Sequence, residues 1–357
     1  MLISVDAILQ SFNKSLWIKR GITLLFGLII WNLPIPWDLS EEAWQLFVIF
    51  ISAILSVLIG GTSIFTASII ALVLVVLFRV LTPEKAFSGF SEGFILLILS
   101  AFLVAKGVIK SGLGSRIAFL LIGRFGHSTL RLSYCLVITD TLLGPAIPSN
   151  TARSGIEYPI THALALDTGS EPGKESRKNT GAFLCMSVIA GQTISSALWL
   201  TGMASNPIGA AMAADFGVNN TFGSWLVVAS LPCLVGLILL PYMLYRLFPP
   251  NRKYTPEAPP RAKEKLKEMG PMSSKEWIMA LTFVGMIIFW ILSPRLDLNL
   301  AIIAFAGLAV LLLSGVYNIK DIRSGTGDAL ETYVWFAILY MMSAALNEMG
   351  FMKTLGI

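Results

Sequence analysis

The chain has 357 residues, 55% of them hydrophobic and only 13% charged, with a mean hydropathy of +0.75. Soluble domains carry about 25% charged residues, so a soluble globular protein is excluded and the sequence reads as an all-α polytopic membrane protein. The formal net charge of +5 points to no nucleic-acid partner, because the basic residues fall in loops, where orientation in a lipid bilayer requires them.

Apolar runs between loops, at about 20 residues per crossing, predict spans near 21–36, 42–60, 62–81, 93–109, 179–213, 222–247, 276–293, 298–315 and 329–349. Residues 1–40 hold an N-terminal segment, without a signal-cleavage pattern, and the first span. The stretch 113–130 sets Arg116 and Arg124 among apolar residues and reads as an interfacial helix. Region 131–165 differs. Its two arms, "LSYCLVITDTLLGPAIP" and "GIEYPITHALAL", are too short or too polar to cross, and they meet at Ser149-Asn150-Thr151. That pattern predicts a re-entrant hairpin with the triplet at its tip, tolerated in a membrane only where protein or a water-filled cavity satisfies the backbone. In 179–213, Thr201, Gly202, Ser205, Asn206 and Pro207 interrupt an apolar helix, which is expected to unwind around 201–206 because proline removes a donor and clashes one turn back. Residues 249–275, rich in proline and charge, read as a solvated cytoplasmic linker.

Basic residues set the orientation. Lys14, Lys19 and Arg20 precede the first span, Lys110, Arg116, Arg124 and Arg131 follow the fourth, and Lys174, Arg177 and Lys178 precede the fifth. With these and the linker inside, "PWDLSEE" and "ADFGVNN" lie outside; Arg79 and Lys85 are exceptions. The N-terminus is then cytoplasmic and the hairpin enters from that side.

The linker separates two similar halves. "SEEAWQLF" resembles "SSKEWIMA", with Trp44 matching Trp277, and "SEGFILLILSAFLVAKGVIKSGLG" resembles "LETYVWFAILYMMSAALNEMGFMK", with Gly112 matching Gly350. In the orientation above the halves begin on opposite sides, which is the inverted repeat of many secondary transporters. Residues 41–248 form the first repeat and 276–357 an incomplete second one. A second hairpin is expected at about position 387, so the C-terminal part of the fold is expected to be missing from this sequence.

Ser149, Asn150 and Thr151 offer hydroxyls, an amide and the amides of a helix start, donors suited to a carboxylate. The structural alternative is a capping turn opening the helix at 152–165. Arg153 needs an anion in a membrane interior, supplied by substrate or by Glu157. Unwound carbonyls around Thr201, Gly202, Asn206 and Pro207 suit a cation or a substrate group; the alternative is a simple proline kink. Asp140 reads equally as a proton or counter-ion site and as a partner of Arg153 or Lys106. Cys135, Cys185 and Cys233 sit in apolar segments without metal-ligand spacing, and His127 and His162 are isolated, so no metal site and no cofactor are expected.

"PSNTAR" at a hairpin tip, "LTGMASNP" in a broken span and "SGLGSRIA" after the fourth span resemble the divalent anion–sodium symporter family, nearest its citrate/succinate and 2-oxoglutarate/malate translocator branch. The resemblance covers nearly the whole chain. It implies two inverted repeats of an elevator-type transporter, a homodimer, and small carboxylate substrates held by Ser149, Asn150 and Thr151. In sodium-coupled members, Asn150, Thr201 and Gly202 would help hold sodium, and a serine commonly lies four residues before the triplet. Here that position is Pro145, without a side-chain oxygen, while Arg153 supplies a fixed cation.

The expected function is therefore exchange of di- or tricarboxylates (citrate, succinate, malate or 2-oxoglutarate), at the inner membrane of a bacterium. A sodium-coupled symporter is the alternative, and a passive anion channel a further one. An enzyme is disfavoured: HExxH, GxSxG and phosphate-loop patterns are missing. "GTGD" at 325–328 matches an intramembrane aspartyl protease pattern, with Asp140 as a conceivable second carboxylate, but Asp328 sits in a loop near Lys320 and Arg323.

Overall fold

A computed structural model describes residues 14–36, 39–325 and 327–354. Among them helix is the dominant structure and no strand forms; a single bridge pairs Ser128 with Tyr254. The helices in chain order are α1 (Lys14–Trp31), α2 (Glu41–Leu58), α3 (Ile64–Leu77), α4 (Pro83–Ala86), α5 (Gly93–Ser111) and α6 (Leu113–Phe125). Next come α7 (Thr129–Leu143), α8 (Asn150–Asp167), α9 (Gly181–Leu198), α10 (Ser205–Asp215), α11 (Phe222–Leu247) and α12 (Ala258–Met269). The remainder are α13 (Ser274–Leu296), α14 (Leu300–Leu313), α15 (Ile319–Gly325), α16 (Gly327–Glu348) and α17 (Phe351–Thr354). Among the described residues, six helices are long and apolar enough to cross a membrane: α2, α5, α9, α11, α13 and most of α16. The chain is an all-α integral membrane protein. Of the nine expected spans, those at 62–81 and 298–315 yield shorter apolar helices of 14 residues each, α3 and α14.

The chain divides into two compact units, Met1–Leu96 with Gly327–Ile357, and Leu97–Thr326. In the first, serine and threonine start the helices. Ser40 Oγ accepts from Ala43 N at 3.1 Å, Ser63 caps α3, and Thr82 caps α4 just before Pro83. Glu41 and Glu42 complement the positive end of α2. Its core joins Leu46, Ala71, Val75, Ile338 and Met342, and Phe47 stacks on Phe351 at 4.5 Å.

In the second unit the 249–275 segment is fastened to its neighbours while most of its side chains stay exposed. Thr129 N donates to Lys253 O at 3.0 Å, Thr255 N to His127 O at 3.1 Å and Asn251 N to Lys178 O at 2.9 Å. The segment then forms α12, whose Ala258 and Ala262 pack with Ala118 and Ile122 of α6. Small residues at i and i+4 let this charged helix press an apolar stripe onto its neighbour, which a reading by composition misses. The 113–130 helix is also revised: α6 ends at Phe125, and Arg116 is buried rather than facing headgroups. Its Nε donates to Glu276 Oε1 at 2.5 Å and its Nη1 to Gly270 O at 3.0 Å. Glu276 meanwhile accepts from Ser273 N at 2.8 Å, closing a capping box at the start of α13.

The matched segments have the same element order: a long helix, a 14-residue helix, a short helix, a long helix and a glycine turn. Gly112 and Gly350 both end the long helix with left-handed backbone, φ 80° and 81°, a conformation glycine adopts without penalty.

Candidate substrate site

Two breaks in helical structure meet in the second unit. One is the 144–149 connection between α7 and α8; the other is the 199–204 break between α9 and α10. The second begins two residues before the expected 201–206. Pro207 sits in the first turn of α10, where its missing N–H costs nothing, and its ring clashes with a helical carbonyl at Met203, so α9 cannot run on into α10. Asn206 and Pro207 are therefore helical and buried rather than unwound. Asn206 Nδ2 donates to Ser196 O at 2.7 Å and Trp199 O at 3.0 Å, satisfying carbonyls that the end of α9 leaves open.

Ser149 is the N-cap of α8; its Oγ accepts from Ala152 N at 3.3 Å. Asn150 is half-buried and Thr151 exposed at the start of the helix. The capping turn is real, and it presents Thr151 outward. Asn150 Oδ1 turns inward instead and accepts from Arg153 Nη2 and from Ser196 Oγ, both at 2.6 Å.

Arg153 is the hub and is wholly buried. Nη1 donates to Asp140 Oδ2 and to Ser195 Oγ, each at 3.0 Å. Nη2 also reaches Ser196 Oγ at 2.5 Å and the Gly202 carbonyl at 3.4 Å. Of the partners weighed from sequence, Asp140 pairs with Arg153. Glu157 instead accepts from Gln192 Nε2 at 3.1 Å.

Thr201 Oγ1 donates to Pro145 O at 2.9 Å, and Trp199 Nε1 to Thr141 O at 2.9 Å, so the break is fastened both to the first connection and to the last turn of α7. Close approach accounts for two glycines. A Cβ on Gly202 would lie 2.7 Å from Ser196 O, and one on Gly144 2.8 Å from Trp199 Cδ1. The structure thus brings together Asn150, Arg153, Thr201, Gly202 and Asn206. Thr151 stands outside this network, and Pro207 acts through backbone conformation alone.

Gln192, Ser195 and Ser196 were missed by the sequence reading. Their spacing of three and four residues along an apolar span was the available signal, a polar stripe on one helix face. The aspartyl protease pattern at 325–328 includes Thr326 and the Asp328 side chain, which lie outside the described residues.

Residues 14–357 match the family model described as the sodium:sulfate symporter transmembrane region. The chain is 43% identical over 331 residues to YflS of Bacillus subtilis (strain 168), provisionally named a malate transporter, covering 92% of this chain and 69% of that protein. It is 39% identical over 335 residues to dicarboxylate transporter 1, chloroplastic, of Spinacia oleracea, covering 92% of this chain and 58% of that one. Inner membrane protein YbhI of Escherichia coli (strain K12) is 34% identical over 354 residues, 96% of this chain and 73% of that protein. The chain therefore spans well under two thirds of the spinach relative's length.

Proposed function

We propose that this chain, which belongs to the sodium:sulfate symporter family, forms part of a secondary transporter that exchanges di- or tricarboxylates across a membrane. The relatives are named as transporters rather than enzymes, and their malate and dicarboxylate labels support the substrate class. The inner membrane of a bacterium, an inverted repeat, a homodimer and elevator-type movement belong to the same proposal.

One observation carries the preference for exchange. The Arg153 guanidinium bonds to Asn150 Oδ1 and to the Gly202 carbonyl, two of the three oxygen sources expected for sodium. The single hydroxyl proton of Ser196 lies between Asn150 Oδ1 and Gln192 O, crowding that oxygen further. A sodium ion would have to compete with the guanidinium for these oxygens, which makes them a poor sodium site. Arg153 is itself paired with Asp140, so the preference for exchange rests on its occupying the oxygens that a coupling ion would need. In this reading the substrate carboxylate meets the exposed start of α8 at Thr151, and Arg153 acts behind it by holding Asn150 and the break.

Transport by reconstituted full-length protein tests the proposal. Uptake should require internal carboxylate and be unchanged when choline replaces sodium. Uptake into empty vesicles driven by a sodium gradient would establish the symporter instead. Acceleration by internal substrate separates a carrier from a passive channel.

A further inference from the structure

Behind the substrate site, three ionisable side chains lie inside the packing of α7, α8 and α9, and only one of them is a cation. Asp140 is 1% exposed, and Arg153 and Glu157 are 0% exposed. The Arg153 guanidinium bonds to Asp140, Asn150, Ser195, Ser196 and Gly202 through Nη1 and Nη2, and not to Glu157. Asp140 Oδ2 also receives the Ser195 hydroxyl.

Glu157 is supplied far less. Its Oε2 accepts one hydrogen bond, from Gln192 Nε2, whose Oε1 in turn accepts from Ser154 Oγ at 2.9 Å. Its Oε1 is buried and has no hydrogen-bond partner among the described residues. Thr161 Oγ1, one turn along the same face, and Ser187 Oγ on α9 are buried in the same condition. The helices run antiparallel, with Asn150 meeting Ser196 and Ser154 meeting Gln192, so Ser187 falls opposite the Tyr158–Thr161 turn.

Two carboxylates beside one guanidinium would leave an uncompensated negative charge away from water, which is among the costliest arrangements a protein interior can hold. The geometry decides which carboxyl gives way. Among the described residues each carboxyl leaves one oxygen buried without a partner, Asp140 Oδ1 and Glu157 Oε1, as does Arg153 at Nε; but Asp140 Oδ2 has the ion pair and a hydroxyl donor, whereas Glu157 Oε2 has one amide donor. We propose that Glu157 is a proton-binding site, its carboxyl holding a proton while Arg153 is paired with Asp140. The seam is then neutral. Among the described residues, the buried charges brought by the neighbouring elements have partners of their own, and on α12 Arg261 is paired with Asp167 at the far end of α8. The α7 helix contributes Asp140, and α9 contributes the neutral Gln192 and Ser195. The α6 helix meets α8 through Gly114 against Ile156, while its Arg116 is bound to Glu276. This site stands on its own geometry and survives whichever transport mode holds.

Infrared spectroscopy of the purified full-length protein in lipid nanodiscs tests it. At neutral pH the wild type should show the carbonyl stretch of a protonated carboxylic acid. That band should shift on 13C-labelling of glutamate carboxyls but not of aspartate carboxyls, and disappear in Glu157→Gln. The labelling arm needs no variant, so a Glu157→Gln protein that fails to fold leaves the test intact. Absence of the band in the wild type, a band that shifts only on aspartate labelling, or one retained by folded Glu157→Gln would overturn the proposal.

Discussion

Arg153 Nη1 lies 3.0 Å from Asp140 Oδ2, and the two side chains are 0% and 1% exposed. Removing one partner of such a pair strands the other in a medium that solvates it poorly, at about 3–5 kcal/mol. Arg153→Ala should therefore lower thermal stability and nearly abolish exchange in proteoliposomes. Arg153→Lys keeps the charge but not the fork that spans Asp140, Asn150 and Gly202, so it should retain only part of the activity. The double variant Arg153→Ala/Asp140→Ala should regain stability over Arg153→Ala without regaining transport. Near-normal exchange by Arg153→Ala would remove it from the transport mechanism.

The break in α9–α10 predicts a glycine contrast. In Gly202→Ala the new Cβ meets two backbone carbonyls, Ser196 O at 2.7 Å and Trp199 O at 3.1 Å, neither able to swing aside. Exchange should fall sharply even where the protein still folds. Gly155→Ala on α8 meets nothing within 4 Å and should stabilise by about 0.5–1 kcal/mol through helix propensity. Parallel melting curves and exchange rates check both.

Thr201→Val removes the hydroxyl that donates to Pro145 O at 2.9 Å while keeping the side chain's shape. A buried carbonyl left without its donor costs about 1–3 kcal/mol. Thr201→Ser, which restores the donor, should recover most of that loss. Equal stability of the valine and serine variants would show that the bond contributes nothing.

Two ion pairs should differ by burial alone. The Arg116 and Glu276 side chains are 9% and 4% exposed, whereas those of Lys85 and Glu348 are 40% and 60% exposed. Glu276→Ala should cost about 3–5 kcal/mol, because it leaves a buried guanidinium unpaired. Glu348→Ala should cost at most about 1 kcal/mol. Added salt should erase the smaller effect and spare the larger one.

Much of the fold was legible in the sequence because membrane helices are specified locally. A run of apolar residues must bury its backbone polar groups in helix wherever it sits, so α2, α5, α11, α13 and α16 fall close to their expected bounds. Pro207 likewise announced a break, and Ser149 a helix start, because both act within one turn. Several decisions waited for tertiary structure. Whether Arg153 met Asp140, Glu157 or a ligand depended on how α7, α8 and α9 rotate about their axes, which apolar periodicity leaves open when three polar faces compete. The polar stripe of Gln192, Ser195 and Ser196 gained its meaning only from the helix packed opposite. The charged 249–275 segment, read by composition as solvated, was held down by backbone hydrogen bonds to His127, Lys178 and Asn179, which no side-chain pattern encodes. The sequence by itself determined where the chain is helical, where it breaks and that polar groups gather at the breaks. The packing alone decided which polar group faces which, because a buried charge takes the partner that geometry brings within reach.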